Sequence, residues 1–216
     1  WWHDENDRGI RTRFSDDLLW LPYAVIQYIL FTGDYKILDE KTHYIKGEKL
    51  KEGENERYDK YLESDIEETI YEHCKRAIER ACNFGENGLP KIGTGDWNDG
   101  LSNIGPKGKG ESVWLGFFMY SILKDFKEIA NQKEDFEFEN KCKQIMGFLQ
   151  TNLNQKAWDG RWFKRAFADD GSVYGSMENE ECRIDSIAQS WSVISEAGEQ
   201  EKKNLAMDSL ERHLVD

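Results

Sequence analysis

The chain has 216 residues, 38% of them apolar and 13% aromatic, and 29 basic residues stand against 42 acidic ones for a net charge of −13. This composition suits a folded chain of about one domain and excludes disordered and collagen-like classes, while an acidic surplus spread along the whole length excludes a broad phosphate-backbone surface, so no nucleic acid partner is expected. No stretch reaches the roughly 18 uncharged apolar residues of a membrane span, and the first residues lack a signal peptide's basic and apolar regions, so a cytoplasmic chain without membrane contact of its own is expected.

Apolar residues recur at helical intervals through most of the sequence. Leu18, Leu19, Pro22, Val25, Ile26 and Ile29 predict a first helix from about Asp16, capped by Ser15-Asp16-Asp17 and stopped by Gly33, with Pro22 either kinking it or marking its first turn. Residues 34–64 are polar apart from Ile37 and Leu38 and predict a brief helix and then a long surface loop. Ser64 and Glu67 have capping-box spacing and predict a second helix running to Ala81. Between Gly85 and Gly110 stand eight glycines and two prolines, too many for a helix. A structureless segment of that length inside a compact domain is usually functional.

Beyond it, Val113–Phe126 and Phe138–Leu153 predict an αα-hairpin, Trp158–Gly175 a short strand pair, and two patterns split by Gly198 a closing pair of helices. About seven helices result, which predicts an all-α architecture of helical hairpins joined by functional loops.

Three segments hold more chemistry than a surface needs. Gly93-Thr94-Gly95-Asp96-Trp97-Asn98-Asp99-Gly100 places two carboxylates, an indole and an amide in four positions between flexible glycines. Its spacing does not fit a calcium loop, and Gly105–Gly110 is followed by Glu111 where a phosphate-binding loop needs Lys. The combination suits a sugar site in which a carboxyl protonates a glycosidic oxygen while the indole holds the ring, and either Asp96 or Asp99 could be the acid. Arg8-Gly9-Ile10-Arg11-Thr12-Arg13-Phe14-Ser15-Asp16-Asp17 offers guanidinium forks and carboxylates to sugar hydroxyls or anions, or simply caps a helix. Gly175–Trp191 carries Arg183, Asp185, Gln189 and Trp191 among small residues and suits a buried network as well as a pocket wall.

Cys74, Cys82, Cys142 and Cys182 form no CxxC pair, and the four histidines sit at no ligand spacing. Buried thiols, structural histidines and no metal are therefore expected.

Together the segments RGIRTRFSDDLLWLPY, GTGDWNDG with GKGESVWL, and GSMENEECRIDSIAQSW resemble family 94 of the glycoside hydrolases, the inverting disaccharide and oligosaccharide phosphorylases. Within it they are most similar to the branch holding β-1,2-oligoglucan phosphorylases and the C-terminal domains of cyclic β-1,2-glucan synthases. The resemblance implies an (α/α)6 toroid, Asp99 as general acid, and Arg11, Asp17 and Trp97 around the donor sugar, with Arg13, Asp16 and Asp96 as neighbours. It further implies inorganic phosphate as co-substrate without any cofactor, a β-glucan oligosaccharide as substrate, and α-glucose 1-phosphate as product. Family phosphate ligands and some helices lie beyond Trp191, and the chain opens inside a motif at Trp1-Trp2-His3, so a fragment of one catalytic domain is expected. Its exposed apolar faces would then be covered by the rest of a parent protein, one attached to the inner membrane if it is a glucan synthase, or by a second copy. An inverting hydrolase and a non-catalytic sugar-binding module are the competing expectations.

Overall fold

A computed structural model describes residues 2–215, so Trp1 of the opening motif lies outside the described residues. The chain is mainly helical but not all-α. Its helices are α1 (Trp20–Thr32), α2 (Ile70–Ala81), α3 (Val113–Gln132), α4 (Phe136–Gln155), α5 (Ser186–Ile194) and α6 (Gln200–Leu214). Among the described residues eight short strands accompany them: β1 (Trp2–His3), β2 (Arg8–Thr12), β3 (Lys41–Lys46), β4 (Glu56–Lys60), β5 (Leu62–Thr69), β6 (Glu111–Ser112), β7 (Ala166–Phe167) and β8 (Val173–Tyr174). They pair antiparallel in three small sheets ordered β1-β2-β4, β3-β5 and β6-β7-β8.

The α3–α4 hairpin forms as the periodicity predicts, and α3 supplies the centre of the core with Trp114, Phe117, Phe118 and Phe126. Asp135 closes the hairpin: it accepts from the Phe138 amide at 3.0 Å as the cap of α4, and from Lys75 Nζ at 2.6 Å and the Tyr71 hydroxyl at 3.0 Å, which ties α2 to the same corner.

Three expectations fail along residues 15–69. Helix α1 begins at Trp20, with no side-chain cap, because residues 16–19 form a turn closed by the Leu19 amide on the Asp16 carbonyl at 2.8 Å. Pro22 falls in its first turn, where a missing N–H costs nothing, and Gly33 ends it at φ 70°. Ser64 starts no helix; it lies inside β5, and Thr69 caps α2 by accepting from the Glu72 amide at 3.2 Å. The surface loop expected over residues 40–64 is largely strand. Both faces of β3 and β5 are mostly exposed, so no apolar alternation marks them, and cross-strand pairs such as His43 with Glu67 take the place of a buried face.

Cys74 and Cys142 are buried in the core, where loss of solvent pushes both thiols up to about 12. Cys82 is half-buried, and Cys182 departs from expectation: it is exposed, at a positive φ of 49°. Leu21, Tyr28, Leu30 and Phe31 of α1 and Val193 and Ile194 of α5 are also exposed. No helix among the described residues is long and apolar enough to cross a membrane.

Candidate active site

The arginine-rich strand and the glycine-rich loop, some eighty residues apart, are joined through their backbones. Phe14 and Gly93 form an antiparallel bridge, the Thr94 amide reaches the Arg13 carbonyl at 3.4 Å, and the Ser15 amide reaches the Gly95 carbonyl at 3.3 Å. Only glycine fits this seam. A Cβ on Gly93, whose φ is 65°, would stand 2.1 Å from the Arg13 carbonyl oxygen, and one on Gly95 would strike the Phe14 ring at 2.4 Å.

Asp96 anchors the loop from below. Its side chain is fully buried; Oδ1 accepts from Arg165 Nη2 at 2.7 Å and from the Asn98 amide at 3.1 Å, and Oδ2 accepts from Ser112 Oγ at 2.7 Å. The same Ser112 oxygen caps α3 by accepting from the Leu115 amide at 3.1 Å, so one node fastens the loop, the helix start and the strand region of Arg165. Arg165 Nε approaches Asp185 Oδ2 at 3.4 Å, an ion-pair distance without hydrogen-bond geometry. With every Asp96 oxygen engaged by buried partners, the geometry favours Asp99 for any proton transfer to a ligand.

Above this node lies an open cleft of about 750 Å³. Arg11, Asp16, Asp17, Asp96, Trp97 and Asp99 all line it, which brings together six of the seven residues singled out from the sequence. Asp99 opens a short 3-10 turn, Asp99–Leu101, held by Asn98 Oδ1 on the Gly100 amide at 3.0 Å, and its own side chain is exposed to the cleft. Trp97 beside it is 54% exposed. Asp17 accepts from the Thr12 hydroxyl. Arg11 lies over the Tyr61 ring at 5.3 Å and donates to the Glu48 carbonyl at 2.6 Å. Asp16 is 4% exposed and accepts from Trp20 Nε1 at 2.8 Å. Burial raises its carboxyl to about 6 against that hydrogen bond, with the charges of Asp17 and Asp96 adding to the rise.

The seventh residue, Arg13, does not line the cleft. It donates to the Glu54 and Lys51 carbonyls, each at 2.8 Å, and so staples the loop before β4. The third sequence segment is likewise a buried network and not a cleft wall. Gln189 bridges the Phe163 amide and carbonyl at 2.8 Å each, Asp185 caps α5, and Trp191 packs on Trp114 and Phe118. The glycines of residues 105–110 do wrap an anion, but it is the chain's own: Asp169 accepts from the amides of Lys107, Lys109 and Gly110 at 2.5–2.9 Å, which holds its carboxyl below the usual range despite burial. The histidines serve structure, as in His73 stacked on Tyr44 at 3.8 Å. Among the described residues no group of His, Cys, Asp and Glu could hold a metal.

Sequence reasoning missed Thr12, Trp20 and Tyr61 in the cleft and Arg165 beneath it. Two of them carried a signal. Trp20 follows Asp16 at helical spacing, and Arg165 sits in the run RWFKRAF, where an arginine among buried aromatics requires a carboxylate. Tyr61 carried none, since it reaches the cleft through strand pairing.

The chain is 43% identical, over its whole length, to a cyclic beta-(1,2)-glucan synthase, NdvB, of Rhizobium meliloti, of which it spans 8%. It is 30% identical to solabiose phosphorylase of Paenibacillus borealis and 29% identical to cellobionic acid phosphorylase of Neurospora crassa, in each case over 93% of the chain. It spans about a quarter of those two proteins, 24% and 23% respectively. Residues 2–216 match the family described as Glycosyl hydrolase 94 superfamily, catalytic domain, and the chain belongs to that family.

Proposed function

We propose that this chain forms the donor-sugar wall and the general acid of an inverting glycoside phosphorylase acting on β-linked glucosides. The observation that carries the proposal is one cleft lined by Trp97 and Asp99 from the glycine-rich loop, by Arg11 of β2 and by Asp17 of the β2–α1 connection. In this reading Trp97 stacks on the donor ring, Arg11 and Asp17 hold its hydroxyls, and Asp16 and Asp96 support them from within. Arg13 acts only by holding the loop before β4. Asp99 gives its proton to the leaving glycosidic oxygen as inorganic phosphate attacks the anomeric carbon from the opposite face, so a β-glucoside yields α-glucose 1-phosphate. An anionic nucleophile needs no carboxylate base, and no cofactor enters. The name of the glucan-synthase relative supports β-1,2-linked glucan as the substrate class.

The cleft holds four carboxylates and one arginine, a poor balance for phosphate. We therefore read residues 1–216 as part of a single (α/α)6 catalytic domain. Further cations, and cover for the exposed face of α1, come from other segments of a longer protein or from a second copy.

The test is to incubate the protein that carries this chain with β-1,2-gluco-oligosaccharides, with and without phosphate, and follow the products by NMR. Phosphate-dependent α-glucose 1-phosphate is expected. Free glucose formed without phosphate would make the enzyme a hydrolase, with Asp17 available to activate water, and binding without either product would make the chain a sugar-binding module.

A further inference from the structure

The reaction proposed above leaves unused a firmly held aromatic side chain of the cleft. Trp20 is the first residue of α1 and lines the same cavity as Trp97. Its ring packs on Phe118 at 4.8 Å and edge-on to Tyr23 at 5.8 Å, and its single polar atom, Nε1, is tied to Asp16 at 2.8 Å. Even so it is 42% exposed. The other exposed apolar residues of α1, Leu21, Tyr28, Leu30 and Phe31, are not part of the cavity lining. An indole fixed on two sides and bare on its cleft surface is a pre-organised stacking platform, because its rotamer entropy is already spent when a ligand arrives. The cavity, about 750 Å³, is larger than one sugar ring requires and falls in the range that encloses a multi-ring ligand.

We propose that Trp20, oriented by Asp16, stacks a second pyranose ring of a glucan oligosaccharide in a subsite adjoining that of Trp97. Trp20 is the binding residue. Asp16 is a positioning residue that acts through the indole N–H, which its buried Oδ2 accepts at 2.8 Å. This inference rests on reading the cleft as a glycan site.

The test uses the protein that carries this chain with Asp99→Asn, so that binding is measured without turnover, and titrates β-1,2-linked glucotriose by calorimetry. Adding Trp20→Leu keeps an apolar side chain against Phe118 but removes the flat ring. Affinity should fall about tenfold or more, the scale of one lost aromatic contact, while circular dichroism shows the fold retained. Trp20→Phe should recover most of it. Asp16→Ala should weaken binding where Trp20 is present and add nothing where residue 20 is already leucine.

Unchanged affinity in the Trp20→Leu protein, beside a loss in Trp97→Leu, overturns this inference and leaves the glycan-site reading intact. Additive losses for Asp16 and Trp20 overturn the positioning role of Asp16. A parent protein that binds no oligosaccharide contradicts the glycan-site reading and this inference with it.

Discussion

Asp96 and Asp99 stand three residues apart in one loop and live in opposite surroundings. The stretch Thr94–Asp96 is buried, bridged through Gly93 to the β2–α1 connection and pinned by Arg165 and Ser112, whereas Trp97–Gly100 is exposed, with Trp97 and Asp99 on the cleft. The first half is an anchor, and the second is the working surface in the function proposed above. A carboxylate that holds a buried arginine has no oxygen to spare for chemistry, and a carboxylate that reaches a ligand cannot be tied down. The loop holds both a short distance apart, with Gly95 before the pair and Gly100 after it to turn the chain.

The strongest way to break the comparison is to remove the anchor. Asp96→Ala leaves the Arg165 guanidinium buried without its main counter-charge, and urea unfolding should show a loss of about 3–5 kcal/mol. Next comes the seam itself: Gly93→Ala puts a methyl group against the Arg13 carbonyl in a left-handed backbone, and a loss of about 2 kcal/mol is expected in the same assay. If either substitution proves neutral, the loop is held by something other than these contacts.

Much of this was legible in the sequence. The α3–α4 hairpin and the closing helices were readable because their buried faces recur at helical spacing, and the cleft residues because Trp, Asp, Asn and Arg crowd two short segments. Residues 40–69 were not, since strands exposed on both faces leave no alternation to read. The split between Asp96 and Asp99 was hidden for a related reason. It depends on Arg165, which joins the loop only through the tertiary fold, so the residues alone left the two acids equal.

A third prediction sharpens the contrast by adding Asp16, a buried carboxyl without a cationic partner among its hydrogen bonds. The folded chain keeps the Asp16 proton up to about pH 6, whereas an unfolded chain releases it near 3.8. In the window between, the folded state binds more protons, so this group's contribution to stability falls as pH rises. Asp16→Asn removes that penalty. Its thermal unfolding should exceed that of the unaltered chain by on the order of 2 kcal/mol above pH 6, with the difference fading toward pH 4. An advantage that grows on acidification would place the Asp16 carboxyl with the lowered acids such as Asp169.

The smallest effect on stability and the largest on chemistry should fall on one residue, and Asp99→Asn tests the central claim most directly. Measured in the protein that carries this chain, with β-1,2-gluco-oligosaccharide and phosphate, the substitution should lower kcat by at least about a hundredfold while unfolding free energy stays within about 0.5 kcal/mol. Near-normal turnover by that variant, or a loss of activity that merely follows a loss of stability, would contradict Asp99 as the acid and the division of the loop into anchor and working surface.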